Sequence, residues 1–281
     1  MRILMQVNNN CYIMHLKRWI TGLIAVPLLA GVIYLGGMAF TTLIGIVSVI
    51  ALWEYYRIVF NPEQKSLFTP ITITGFITAP LMIYSAHGNH VHAILGIIII
   101  NLIITAFAAI VLFKNDPSIL QDVFKQALGI IYVPLLLTCI ILIRNSPEGS
   151  TWIFFLFFLV FSADIGAFYA GSFFGRHKLC PSVSPGKTIE GGIGGIILTI
   201  IVGMGFQSFF LPDISTWITF CLCICVGIIG PTGDLFESTL KRVGNIKDSG
   251  SILPGHGGIL DRIDAILFVL PVLYFFKEHI V

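Results

Sequence analysis

Apolar residues occur along this chain in long unbroken runs that are separated by short polar stretches. One run, residues 94–113, reads ILGIIIINLIITAFAAIVLF. A helix needs about 20 mostly apolar residues to cross a bilayer, whereas a spanning strand is about half as long and alternates in polarity. The pattern therefore predicts an all-α fold, a polytopic transmembrane helical bundle with about nine spans. We expect these spans near residues 19–39, 40–60, 69–86, 92–113, 127–144, 151–173, 191–211, 215–233 and 259–276.

The composition agrees with a protein that lies largely in lipid. Of the 281 residues, 56% are hydrophobic and only 11% are charged, whereas soluble domains carry about 25% charged residues. The mean hydropathy is +0.95. The net charge of +2 is too small to indicate nucleic acid binding. Among the six cysteines, Cys221, Cys223 and Cys225 point to different faces of a helix, so we expect apolar packing from them and no metal site.

The basic residues are distributed unevenly between the two sides of the predicted bundle. If the N-terminus lies inside, 14 of the 16 Lys and Arg fall in the N-terminal segment or in inside loops, and the outside loops hold Arg144 and Lys277. Basic residues concentrate in cytoplasmic loops. The pattern predicts an N-in/C-out integral protein of a bacterial-type inner (cytoplasmic) membrane.

The polar residues divide the chain into three regions. Residues 1–18 form a polar N-terminal leader without a cleavage site of small residues. Residues 19–150 contain few polar side chains at membrane depth and are interpreted as transmembrane scaffold helices. Residues 151–281, in which charged and glycine-rich segments interrupt the spans, are predicted to be a transmembrane catalytic region with polar loops that face the cytoplasm.

Two clusters in the scaffold region have simple structural interpretations. The WEYY segment at 53–56 closes the second predicted span and is typical of an aromatic belt with an interfacial acid. His87, His90 and His92 lie in one predicted outside loop. Three histidines could bind zinc, but no Cys, Asp or Glu lies beside them in the sequence, so we interpret this cluster as a solvated loop.

The first candidate for chemistry begins at Asp164, inside the predicted span 151–173. An acid at the centre of a span costs about 2.5–3.5 kcal/mol, so we expect Asp164 to face a polar cavity, with an interhelical hydrogen bond as the alternative. The loop 175–195 then combines basic residues, hydroxyls and glycines before a new helix, a composition that suits phosphate binding. Its GKT segment at 186–188 differs from a P-loop, because Pro181 replaces the first glycine. Gly191 and Gly195 suggest close helix packing.

The segment 233–265 is the most polar part of the catalytic region. Asp234, Glu237 and Lys241 share one helical face, and Asp261 and Asp264 lie three residues apart at the start of the last helix. Two acidic clusters thus flank a basic, glycine-rich loop. Mg²⁺ binds carboxylate oxygens together with substrate phosphates, and phosphoryl chemistry relies on such charge neutralisation. The arrangement favours nucleotidyl transfer, with an ordinary salt-bridged loop as the alternative.

Over the 27 residues 238–264, the chain resembles the phosphatidate cytidylyltransferases, also called CDP-diacylglycerol synthases. Their pattern is Ser-x-aliphatic-Lys-Arg, four residues, Lys-Asp-x-small, two residues, and then aliphatic-Pro/Gly-x-His-Gly-Gly-aliphatic-x-Asp-Arg-aliphatic-Asp. The matching residues are Ser238, Leu240, Lys241, Arg242, Lys247, Asp248, Gly250, Leu253, Pro254, His256, Gly257, Gly258, Ile259, Asp261, Arg262, Ile263 and Asp264. The upstream SADIGAFYAGSFFGRHKL and SPGKTIEGG blocks are also similar to this family.

This resemblance implies a nine-helix, homodimeric membrane enzyme that makes CDP-diacylglycerol and pyrophosphate from CTP and phosphatidic acid. It implies a metal-dependent site that faces the cytosol, with Asp234 and Asp261 as the acids that bind Mg²⁺; a second cation is left open. We assign catalytic roles to Asp234, Lys241, Arg242, Lys247, His256, Asp261 and Asp264. We assign substrate binding to Asp164, Arg176, Ser184, Lys187, Thr188 and Arg262.

Two other functions are compatible with a polytopic bundle. A secondary transporter of an anionic solute would also carry an intramembrane acid, but it should show repeated halves and broken helices, and the sequence shows no internal repeat. An enzyme that moves another phospho-group between lipid carriers would share the metal chemistry but would not need the 238–264 pattern.

Overall fold

The computed structural model describes residues 26–60, 66–114, 116–250, 252 and 257–280. In this part the chain is a bundle of α-helices, as the apolar runs predict. The N-terminal helices are α1 (Val26–Leu35), α2 (Gly37–Phe60), α3 (Pro70–His87), α4 (Val91–Leu112), α5 (Ile119–Ile130) and α6 (Leu136–Asn145). The C-terminal helices are α7 (Gly149–Phe174), α8 (Ile189–Phe210), α9 (Thr216–Val243) and α10 (Leu260–His279). The predicted leader, residues 1–18, lies outside the described residues.

Six helical segments within the described residues are long and apolar enough to cross a membrane. They are α2, α4, the continuous segment Ile119–Asn145, α7, α8 and α9. The remaining helices α1, α3 and α10 also coincide with predicted apolar stretches. The sequence therefore located the helices correctly, and the structure supports an integral membrane protein.

A short π-helix, Ile131–Leu135, joins α5 to α6 and contains Pro134. A proline cannot donate its share of the helical hydrogen bonds, and single π-turns accommodate such interruptions. The side chain of Tyr132 in this turn is 2% exposed. Its ring packs edge-on against Phe236 of α9 and Phe268 of α10, at centroid distances of 4.9 and 6.0 Å. The interruption thus inserts an aromatic ring between the two helices that carry the acidic clusters.

Glycines allow α7 and α8 to pack with their backbones in contact. A Cβ on Gly166 would lie 2.5 Å from the carbonyl oxygen of Gly194, and a Cβ on Gly191 would lie 2.9 Å from that of Ala167. A Cβ on Gly195 would likewise lie 2.9 Å from a carbonyl oxygen of α7. The predicted packing role of Gly191 and Gly195 is confirmed. This contact fixes the start of α8 beside the middle of α7, where Asp164 lies.

A β-hairpin between α7 and α8 is the feature that an all-α prediction missed. Strand β1 (Lys178–Cys180) pairs antiparallel with β2 (Ser184–Thr188). β2 passes directly into α8, because Thr188 is both the last strand residue and the N-cap of the helix. The hairpin is short and contains Pro185 and Gly186, two residues that are depleted in strands, which explains why the sequence pattern did not reveal it.

Candidate active site

A cavity of about 520 Å³ lies between α7, the hairpin, α8 and α9. Four predicted site residues line it: Asp164 of α7, Lys187 and Thr188 of β2, and Asp234 of α9. The remaining wall consists of small and apolar residues, including Phe168, Leu179, Gly191 and Pro231. The structure therefore brings together charged residues that are up to 70 positions apart in the sequence.

The first turn of α8 forms one wall of this cavity. The hydroxyl oxygen of Thr188 accepts a hydrogen bond from the backbone N–H of Gly191 at 3.1 Å, and both Gly191 and Gly192 line the cavity. Unpaired N–H groups and the helix dipole make a helix N-terminus favourable for anions. Thr188 is 7% exposed, so its clearest role is to cap α8 at this wall.

Lys187 brings a positive charge to the same wall. Its ammonium group lies 2.7 Å from Oδ2 of Asp234 and donates a hydrogen bond of 3.3 Å to the carbonyl oxygen of Pro231. Its side chain is 23% exposed and that of Asp234 is 38% exposed. Both groups therefore remain accessible from the cavity, where a phosphate could contact the lysine and a cation could contact the acid.

A second charged cluster joins the end of α9 to the start of α10. The Lys241 ammonium lies 2.7 Å from Oδ1 of Asp261 and 2.5 Å from Oε2 of Glu237. The other oxygen of Asp261, Oδ2, accepts hydrogen bonds from the backbone N–H groups of Ser249 and Gly258, each at 3.0 Å. Glu237 is fully buried, and Lys241 is 16% exposed. Asp261 is thus held from three directions, and it does not line the cavity.

Asp264 connects the two clusters electrostatically. Its charge interacts with those of Asp234 and Asp164, and its Oδ1 accepts a hydrogen bond of 2.7 Å from the N–H of Ala265. A Cβ on Gly233 would lie 2.5 Å from the carbonyl oxygen of Asp264, so glycine lets α9 and α10 approach closely at this level. Three carboxylates from three helices consequently share one region, which favours bound cations.

The other predicted site residues lie at the periphery. Arg242 and Lys247 are exposed, and Arg242 Nε donates a hydrogen bond of 3.1 Å to the carbonyl oxygen of Val183 in the hairpin turn. Arg176 lies in a neighbouring recess, where its backbone N–H donates to Glu190. Ser184 begins β2 and Arg262 is exposed in the first turn of α10; neither lines the cavity. His256 lies outside the described residues.

The two acids that we expect to bind a metal are each paired with a lysine in the structure. The ammonium group of Lys187 lies 2.7 Å from Asp234, and that of Lys241 lies 2.7 Å from Asp261. Among the residues that the structure describes, no group of three acidic, histidine or cysteine side chains could hold a metal. Mg²⁺ commonly uses only one or two carboxylates and takes its other ligands from water and substrate phosphates. Asp234, which lines the cavity, could serve such an ion together with a polyphosphate, whereas Asp261 does not line the cavity.

The interpretation of the WEYY segment as an interfacial belt is wrong. Glu54, Tyr55 and Tyr56 are fully buried, and Glu54 accepts hydrogen bonds from Ser249 and from the start of α10. The physical reason is that Ser249 and the start of α10 lie directly against this end of α2. The carboxylate of Glu54 therefore accepts hydrogen bonds from protein donors instead of from water. Glu54 and Tyr132 are the residues near the site that the sequence did not reveal.

The sequence is similar to a known family of proteins along most of its length. Residues 16–280 match the model of the family described as "Cytidylyltransferase family". The chain is 35% identical over 258 residues to a phosphatidate cytidylyltransferase of Staphylococcus epidermidis, covering 91% of this chain and 96% of the relative. It is 33% identical over 264 residues to the phosphatidate cytidylyltransferase of Bacillus subtilis, covering 92% and 96%. A Staphylococcus aureus protein of the same name is 34% identical over 262 residues, covering 91% and 96%.

Proposed function

This chain belongs to the cytidylyltransferase family, and from that premise we propose that it transfers the cytidylyl group of CTP to phosphatidate. The products are CDP-diacylglycerol, a precursor in phospholipid biosynthesis, and pyrophosphate. The observation that carries this proposal is the cavity in which Lys187, the N-terminus of α8 and Asp234 meet. It offers positive charge and backbone donors for a polyphosphate beside carboxylates for its counter-cation.

Binding of the nucleotide is assigned to the walls of this cavity. Lys187 and the N–H groups at the start of α8 contact phosphate oxygens, because both favour anions. The exposed Arg242, Lys247 and Arg262 are assigned to further phosphate contacts, and Lys241 holds Asp261 in place. His256 and Asp264 are assigned to organising the site. These assignments rest on the pattern at 238–264 together with the positions of the described side chains.

The reaction is a displacement at the α-phosphorus of CTP. A phosphate oxygen of phosphatidate attacks this phosphorus and forms a new P–O bond, while the bond between the α-phosphorus and the oxygen bridging to the β-phosphorus breaks. Pyrophosphate leaves with the electron pair of that bond. No covalent enzyme intermediate is needed, so the residues of this chain bind, orient and neutralise charge.

The cofactor of the proposed reaction is Mg²⁺, which Asp234 and Asp261 would hold. When bound, the ion supplies positive charge to the phosphate oxygens and to the leaving pyrophosphate. Asp264 and Asp164 interact electrostatically with Asp234 and are suited to support a second cation. The ammonium groups of Lys187 and Lys241 lie 2.7 Å from Asp234 and Asp261, respectively.

We further propose nine spans with the N-terminus inside and the C-terminus outside, in a bacterial inner membrane. The apolar helices α1, α3 and α10 supply the three spans beyond the six that satisfy length and apolarity. The 14-to-2 distribution of basic residues supports the orientation, which puts the cavity on the cytoplasmic side, where CTP is available. The family resemblance supports a homodimer.

A direct assay tests the function. Purified protein in detergent, given labelled CTP, phosphatidic acid and Mg²⁺, is expected to release pyrophosphate and to form an organic-soluble cytidine lipid in equal amounts. Absence of both products across several detergents would contradict the proposal. The transporter alternative predicts instead that reconstituted vesicles accumulate an anionic solute without chemical change.

A further inference from the structure

Glu54 connects α2, in the scaffold region, to the start of the last helix. Its side chain is fully buried. Oε1 accepts a hydrogen bond of 3.1 Å from the N–H of Ile259, and Oε2 accepts one of 2.8 Å from the N–H of Leu260. Oε2 also accepts a hydrogen bond of 3.2 Å from the hydroxyl of Ser249. These four residues, Glu54, Ser249, Ile259 and Leu260, are called the Glu54 network below.

The Glu54 network supplies the cap that α10 lacks in its own sequence. The N-cap residue of α10 is Ile259, which has no polar side chain and makes no side-chain cap. The first N–H groups of a helix have no acceptor inside the helix, and they must be paired when buried. The carboxylate of Glu54 accepts from two of them, and its negative charge interacts favourably with the helix dipole.

Two glycines make room for this carboxylate. A Cβ on Gly250 or on Gly258 would collide with Glu54, and a Cβ on Gly258 would also meet the hydroxyl of Ser249. Both glycines belong to the pattern at 238–264. Their close approach shows that the chain at positions 250 and 258 fits around a side chain from α2.

Two residues of the Glu54 network, Ser249 and Leu260, are also connected to Asp261. Ser249 donates its hydroxyl to Glu54 and its backbone N–H to Asp261. Leu260, which donates to Glu54, directly precedes Asp261. Ser249 is 1% exposed, so these hydrogen bonds form away from bulk water, where they strongly constrain geometry.

We propose that Glu54 is a positioning residue of the transferase, which sets the place and orientation of Asp261 by fixing Ser249 and the first turn of α10. It does not contact substrate. The inference rests on the proposed site, because it assumes that Asp261 takes part in the reaction. The region interpreted from the sequence as scaffold thereby supplies part of the active-site geometry.

The test compares Glu54→Gln with a matched buried acid, Asp122→Asn in α5, which is 4% exposed and outside the site. Gln replaces one acceptor oxygen by an N–H₂ group that must face a backbone or hydroxyl donor. We expect kcat of the Glu54→Gln enzyme to fall on the order of 10–100-fold, as for partners of metal ligands. The KM for CTP should change by less than about threefold, since the cavity itself is unaltered.

Amide hydrogen exchange of the purified proteins provides a readout that is independent of turnover. In Glu54→Gln, the amides of Ile259 and Leu260 should exchange faster, while α7 and α8 keep the wild-type rates. Asp122→Asn should retain the wild-type kcat and the wild-type exchange at 257–262. If the wild-type protein made no CDP-diacylglycerol, the proposed function would be wrong, but the exchange comparison would still test the Glu54 network.

A second variant covers the case in which Glu54→Gln does not fold. Ser249→Ala removes one hydrogen bond of the network and keeps the backbone N–H that donates to Asp261. We expect a loss of kcat of about 3- to 10-fold.

Two outcomes overturn the proposal. One is a folded Glu54→Gln enzyme with kcat within about twofold of wild type, a change too small for a lost positioning contact. The other is an unfolded Glu54→Gln protein together with a Ser249→Ala enzyme that retains full kcat.

Discussion

Lys187 and Asp234 form an ion pair of 2.7 Å that connects the hairpin to α9 across the cavity. The pair places a phosphate-binding group beside a cation-binding group, so each can exchange its protein partner for part of a metal-bound nucleotide. This relationship makes the ion pair the central electrostatic element of the proposed site.

Replacing Lys187 by Gln should lower kcat/KM for CTP by on the order of 10–100-fold, because charge-assisted hydrogen bonds contribute about 1.5–3 kcal/mol. Lys178→Gln is the control, since Lys178 is exposed on the same hairpin and does not line the cavity. Steady-state kinetics on both variants checks the prediction. Equal values of kcat/KM for the two variants would show that Lys187 does not contact the nucleotide.

Substituting the proposed metal ligands Asp234 and Asp261 should reduce activity more than substituting Asp264. Asp234→Asn and Asp261→Asn should each abolish turnover, because a neutral amide is a far weaker ligand for Mg²⁺ than a carboxylate. Asp264→Asn should cost about 10–100-fold, as is usual for residues that support metal ligands. Rates measured over a range of Mg²⁺ concentrations test this ranking. If the first two variants keep more than about a tenth of the activity with unchanged Mg²⁺ dependence, the metal assignment is wrong.

The proposed orientation can be tested with two exposed positions on opposite sides. In a cysteine-free background, Ser182→Cys in the hairpin turn should react with an impermeant maleimide only from the cytoplasmic side. His90→Cys, between α3 and α4, should react only from the outside. Labelling of intact cells and of inverted vesicles distinguishes the two. Reaction of Ser182→Cys in intact cells would overturn the N-in/C-out topology.

The contact between α7 and α8 predicts opposite effects for two glycine substitutions. Gly166→Ala should destabilise the protein by about 1–3 kcal/mol, because the added Cβ would press against the backbone of α8. Gly205→Ala in α8 should be neutral or slightly stabilising, since a Cβ there meets nothing within 4 Å and Ala favours helix. Thermal unfolding in one detergent compares them. Equal midpoints for the two variants would show that the helices can separate at no cost.

The helices and the two acidic clusters could be predicted because their signals are local. A run of apolar residues specifies a membrane helix by itself, and acids three or four residues apart on one helix share a face. Asp164 could be predicted to face a cavity because a span does not otherwise tolerate an acid, and Lys187 and Asp234 lie in the polar segments that follow predicted spans. The close packing at Gly191 and Gly195 is likewise visible in their spacing.

The missed features depend on partners that are distant in the sequence. Glu54 lies near the end of an apolar helix, where an acid is typical of an interface, and its acceptor role depends on donors 195 to 206 residues away. Tyr132 acquires its position from a π-turn that a proline requires. The hairpin is too short for an alternating pattern to be visible.

The contact between Glu54 and the start of α10 has a consequence for dividing this chain into parts. A fragment of residues 151–281 would contain every residue of the 238–264 pattern, yet it would not contain the carboxylate that accepts from Ile259 and Leu260. The backbone N–H groups of Ile259 and Leu260 would then lack this acceptor. The pattern therefore identifies where the chemistry takes place, while the smallest unit able to assemble that site extends back to α2.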